Sequence, residues 1–223
     1  MYNLQISGLG KSEGGVFNEV RLEGVQRIYG NVQCLDFFSE GVLKATAIEC
    51  QNSFNLEGVG GMSSLKAPNI NIEGACRVKE AVIGQALHVE GYLSTGEVVK
   101  VETAQVVGKV KFKEAVEATK IKLSFCATSL FDVISATEVK ISRYLDSDYY
   151  QMSKGSGIFK RRRKYKMKGQ LIEGETIEIE YCHVNAIYGD HIKIGPNCQI
   201  NEVAYKESLE IHPNAVVKTV KQV

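Results

Sequence analysis

Four histidines, His88, His183, His191 and His212, are the residues best suited to metal binding or proton relay, and they are scattered along the chain. A catalytic zinc needs three converging ligands and an open position, and a general base needs a nucleophile or an orienting group within reach. None of the four lies in a motif that supplies either. The six cysteines contain no CxxC and no Cys/His quartet. Cys34 and Cys50 are 16 residues apart, as are Cys182 and Cys198, which in a coil of that period puts each pair on neighbouring turns. Buried reduced thiols acting as small hydrophobes fit this pattern better than zinc or disulfides. Five glutamates, Glu23, Glu40, Glu57, Glu73 and Glu90, recur at the same interval. Stacked about 4.8 Å apart they would repel unless solvated, so the column is expected at a wet edge rather than in a metal or catalytic array.

The strongest local charge anomaly is Lys160, Arg161, Arg162, Arg163, Lys164, Lys166 and Lys168. Such a run can grip anionic lipid, nucleic acid or an acidic protein, or it can be a solvated hairpin whose cations offset the glutamate edge. Nucleic acid is the poorest of these partners, because no recognisable RNA or DNA module surrounds the run. There is also no GxxxxGK[ST] loop and no nucleotide-binding βαβ pattern, and Gly8 and Gly10 form a GxG with no helix after it. No cofactor, metal or small-molecule substrate is expected, and the chain is not expected to be an enzyme.

The elements behind these residues follow from a repeat. Gly24, Gly41, Gly58, Gly74, Gly91 and Gly108 fall at steps of 17, 17, 16, 17 and 17. Four residues before each glycine stand Val20, Phe37, Phe54, Ile70, Leu87 and Ala104, and two before stand Leu22, Ser39, Leu56, Ile72, Val89 and Val106. Helix-pair repeats need roughly 33 residues or more, whereas these ladders alternate with the period of two that marks strands. Seventeen residues at about 3.3 Å each close a coil of roughly 55 Å, enough for three short strands and three bends. The fold class is therefore all-β, a β-helix solenoid with about 17 residues per rung and a glycine bend repeated in every rung. Val20, Leu22, Phe37, Phe54, Leu56, Ile70, Ile72, Leu87 and Val89 form its core ladder. Val20 and Leu22 are the expected first-rung positions, where another molecule would stack.

The organisation expected is a tail or cap at 1–13, rungs at 14–142, a basic insertion at 143–170, and a C-terminal β segment at 171–223 that continues or caps the solenoid. The glycine position of the next rung is Phe125, while Ile121 and Leu123 keep the apolar ladder. Net charge is +1, and no apolar run approaches the eighteen or so residues of a membrane span. The first fifteen residues lack the pattern of a secretory signal, which sets the expected location as the cytoplasm.

Two resemblances bear on function. IKIGPNCQI, Ile192 to Ile200, resembles the hexapeptide repeats of left-handed β-helix acyltransferases over about one rung; those enzymes rely on a catalytic histidine. More broadly, the LEG and VEG steps, the opening NLQISGLGKSEGGVF, and the later IEGETIEIEY and IKIGPNCQINEVAY resemble bactofilins. They are most similar to the longer polymer-forming cytoskeletal proteins of that family in Gram-positive bacteria, from Asn3 to about Val217. The resemblance implies a right-handed β-helix that polymerises end to end into non-polar filaments without nucleotide. It also implies a scaffold for cell shape, envelope or motility proteins, located in the cytoplasm or at the inner face of the membrane, where a short N-terminal tail is associated with attachment. The alternatives are an acyltransferase-like enzyme and a monomeric solenoid that binds an anionic partner through its basic insertion.

Overall fold

The computed structural model describes residues 2–144 and 165–223. Seventeen strands join in one continuous sheet, and every pairing is parallel, with partners one turn apart along the chain. The result is a β-solenoid of about 12 turns with about 17 residues per rung, and among the described residues there is no helix.

Each turn has three segments. Face A carries the ladder Leu4, Val20, Phe37, Phe54, Ile70, Leu87, Ala104, Ile121, Val139, Ile177, Ile192 and Leu209, in unbroken register. Face B follows the glycine bend. Face C closes the turn through Val32, Ile48, Leu65, Val82, Val99, Val116, Ile134, Ile172, Ile187 and Val203. In early turns one strand such as Ala47–Met62 runs through all three segments. From Ser64–Lys66 to Ser129–Leu130, shorter strands separate a segment from the rest. Inward residues of all three segments make one core, in which Phe37 and Phe54 stack with ring centroids 5.3 Å apart.

Glycine is required at the A–B bend for two reasons. At Gly74 φ is +122°, a backbone state that side chains rarely adopt, and a Cβ there would lie 2.2 Å from the carbonyl oxygen of Gly58. Gly24, Gly41, Gly58, Gly91 and Gly108 repeat the arrangement, and Gly8 extends it one turn earlier, in register with Gly24. The GxG near the N-terminus is thus the first step of the glycine ladder.

Two expectations need correction, the end position of Val20 and Leu22 and the bounds of the insertion. Of the tail or cap expected at 1–13, the cap is what forms: Tyr2–Ser12 is a strand in register with Gly15–Ile28. It places Leu4 and Ile6 over Val20 and Leu22, which are buried and lie one turn inside the molecule rather than at its end. The insertion is also shorter than 143–170. Val133–Arg143 runs to Arg143 and Met167–Ile179 resumes at Met167, because Met167 and Lys168 pair with Ser129 and Leu130 of the turn below. Of the two alternatives for 171–223, continuation is what the structure has, with Cys182–Ile194, Gln199–Ile211 and Val216–Gln222 adding parallel turns.

Gly74→Ala should lower stability by at least about 2 kcal/mol, because it combines an unfavourable φ with a backbone clash. Gly61→Ala, where a Cβ meets nothing within 4 Å, should change it by less than about 0.5 kcal/mol. Urea unfolding midpoints of the two variants provide the comparison; equal midpoints would contradict this account of the bend.

Candidate functional site

A parallel solenoid satisfies its backbone by pairing each rung above and below, so its ends are the places where pairing stops. Among the described residues Tyr2–Ser12 pairs only with Gly15–Ile28. Its inward residues Leu4 and Ile6 are half-buried, whereas the next turn down is fully covered. At the other end Val216–Gln222 covers only the B and C segments of Gln199–Ile211. The A segment of that turn, with half-buried Leu209 and with Ile211 41% exposed, is left as an edge. On the last strand the inward Val217, over Ile200, is half-buried and the inward Val220, over Val203, is 46% exposed. Both ends therefore combine a row of unpaired backbone groups with apolar core that has lost its cover.

The other sequence-predicted residues fall as follows. The rung-turn glycines line the A–B bend, and Phe37, Phe54, Leu56, Ile70, Ile72, Leu87 and Val89 are buried in the core. The five glutamates stack in register on the outside of face A, all exposed. No group of three or more possible metal ligands occurs among the described residues. Lys160, Arg161, Arg162, Arg163 and Lys164 lie outside the described residues. Lys166 and Lys168 lead into face B beside His183, and the Lys166 Nζ contacts His183 Nε2. Burial, then Lys166, then Lys168, hold His183 below its ordinary value of 6.5.

The histidines do not converge. His88 contacts Glu90, His191 contacts Ser208 at 3.0 Å, and His212 Nδ1 accepts the Asn214 N–H at 3.0 Å. IGPNCQI forms a bend, with Asn197 at φ +58° and Cys198 buried. A groove of about 500 Å³ beside it is lined by Ile194, Pro196, Ile211 and His212, at the C-terminal edge already described. A second, wide-open groove of about 690 Å³ is bordered by Glu117, Glu173, Glu175 and Asp190; Lys206 pairs with Asp190 at 2.9 Å across it.

The thiols are packing groups. Cys34 and Cys50 meet on adjacent turns with sulfurs 3.6 Å apart, and five of the six cysteines are buried. The Cys34 contact and burial push the Cys50 thiol up, burial and the Cys198 contact push Cys182 up, and burial alone pushes Cys76 up to about 12. These thiols stay protonated at neutral pH.

The fold defines the class, a β-solenoid, whose first and last described turns are each paired on one side only. A stretch of 93 residues is 26% identical to the Bacillus subtilis (strain 168) protein named "Uncharacterized protein YhbF". The match covers 39% of this chain and 40% of that relative, so this chain spans less than half of the relative's length. No family model matches, and no solved structure matches. Among the described residues no helix is long and apolar enough to cross a membrane.

Two measurements check this chemistry. In the native protein a thiol reagent should modify Cys126 alone, with the other five thiols reacting only on unfolding; fast labelling of Cys50 or Cys182 would mean that the coil opens. Because the folded state holds His183 neutral to a lower pH than the unfolded chain does, its contribution is full above pH 6.5 and lost as pH falls through the depressed value. Unfolding midpoints of the wild type should therefore drop below pH 6.5 more than those of His183→Gln.

Proposed function

We propose that this protein is a scaffold that assembles end to end into filaments without nucleotide, in the manner of bactofilins, and positions other proteins along them. The observation that carries this reading is the pair of uncovered ends. Leu4 and Ile6 at one end, and Leu209, Ile211, Val217 and Val220 at the other, continue the inward ladders and lie uncovered among the described residues. Stacking a second molecule extends the backbone ladder and buries this apolar surface, so burial supplies the free energy and hydrolysis is not needed. The broad sequence resemblance to bactofilins supports the same reading. So does the even, columnar exterior, which offers partner proteins a repeating surface. A cytoplasmic location and a role in cell shape or motility belong to this proposal.

Negative-stain electron microscopy without nucleotide tests it. The native chain should form filaments, whereas Ile211→Glu, which places charge on an already exposed end residue, should abolish them with little loss of stability. The non-polar filaments that the resemblance implies join like ends, so the variant should remain as dimers through its intact N-terminal end; residual monomers would mean that unlike ends meet. Native protein that stays monomeric at every salt and protein concentration would sink the scaffold reading.

A further inference from the structure

The outside of face B is unlike the other two faces. In register from the first turn, its first column reads Leu9, Val25, Val42 and Val59. Their exposures are 87%, 48%, 44% and 52%. Each of the four turns thus holds an aliphatic side chain in water on a rigid sheet, and at about 4.8 Å per turn they form a strip roughly 15 Å long. Scattered exposed aliphatics are ordinary, but an aligned column is a patch, and patches of this kind mark contact surfaces.

Two residues further along each strand, and so on the same outward side, runs a second column: Lys11, Arg27, Lys44, Gly61, Arg77, Ser94 and Lys111, interrupted at the buried Ser94. Its five cations are exposed, and none takes part in the ion pairs found among the described residues. Several outward lysines elsewhere on the solenoid behave differently. Lys66, Lys100, Lys120 and Lys140 each pair with a glutamate on a neighbouring turn. Through the turn of Lys109 and Lys111 neither column of face B contains a carboxylate. The glutamate column lies beyond the glycine bend, on face A. Farther along, Lys166 and Lys168 extend the positive character of this face, and they help to depress His183.

We infer that face B of the first turns is a docking surface for an anionic lipid bilayer. The pattern suits that partner on two counts. Aliphatic side chains standing on a straight, rigid strip can enter the boundary between headgroups and acyl chains, while the lysines and arginines beside them keep their charges among anionic headgroups. A nucleic acid would be gripped by the same cations, but Leu9, Val25, Val42 and Val59 have no π-face on which a base can stack. The surface belongs to a single molecule and needs no filament, so it goes beyond the scaffold reading and is testable apart from it.

Flotation with vesicles separates bound protein from free filaments, which sink. The native chain and the Ile211→Glu variant should both float with vesicles containing phosphatidylserine, and neither should float with pure phosphatidylcholine or at high salt. Lys11→Glu combined with Arg27→Glu and Lys44→Glu should weaken binding by more than about a hundredfold, since each cation near an anionic surface contributes separately. Val25→Ser with Val42→Ser and Val59→Ser should weaken it at unchanged charge. All of these positions are exposed, so unfolding midpoints close to the parent's should accompany both sets. No flotation of the native chain, or flotation that survives the charge reversal or the serine replacements, would overturn the inference. Binding of the native chain to RNA but not to vesicles would overturn it in favour of a nucleic-acid surface. Filament loss in Ile211→Glu with flotation retained would leave both proposals standing on separate evidence.

Discussion

From the second turn to the seventh, each turn of this protein meets the one before it through the same contact: the bend glycine sits against the carbonyl oxygen of the bend glycine below, with no room for a Cβ. A Cβ at Gly41 would come within 2.3 Å of the Gly24 oxygen, and one at Gly108 within 1.9 Å of the Gly91 oxygen. This close approach holds the register at one turn, and register converts every periodic residue type into a column. The apolar ladders become a continuous core, the glutamates an acidic column, and the valines and cations of face B two parallel stripes. No rung can bury its own apolar face alone, so stability is nearly a sum over neighbouring pairs and is lowest where a neighbour is missing.

The bend changes along the chain before the glycine beat stops. From Gly8 to Gly108 its φ opens steadily, through +82°, +93°, +110°, +120°, +122°, +131° and +139°. At Gly108 a side chain is still excluded, by φ and by the Gly91 oxygen, and the next turn abandons the bend altogether, with Phe125 at the glycine position and its ring buried. Two turns later the bend is rebuilt from side chains: Arg143 lies 4.7 Å from the ring of Tyr181, and Tyr181 itself takes φ +53°. The core ladders continue across this change because inward packing does not depend on how the bend is made.

The period, the all-β class, the core ladder and the solvated glutamate column were legible in the sequence because each repeats at a fixed interval in residues that have few alternatives. The first turn was not. Gly8 precedes Gly24 by 16 residues, but Ser7 stands where the later turns have glutamate, and Leu4 and Ile6 resemble any short apolar opening. Spacing alone therefore could not show that Val20 and Leu22 are covered. The end of the insertion was obscured for a different reason. Lys166 and Lys168 belong by composition to the cationic run, and only the pairing of Met167 and Lys168 with Ser129 and Leu130 assigns Lys168 to the solenoid. The character of face B was legible in principle as valine and cation at fixed offsets after each glycine, but its meaning requires knowing that both columns point outward while Leu43 and Cys76 between them point in.

Ends and faces obey different physics, and the combination has a consequence. An end gains free energy only from one matching surface, whereas a face column gains from anything that fits its stripe, and its contribution multiplies with the number of copies that engage together. Where joined molecules keep their face B stripes on one side, a surface that holds one subunit weakly holds a row of them tightly. The coupling runs both ways: a surface that binds aligned subunits more tightly than single ones must favour their alignment by the same factor. Two modest interactions, one at the ends and one along a face, would then yield a filament that forms where its docking surface is and not elsewhere, with no nucleotide to time it.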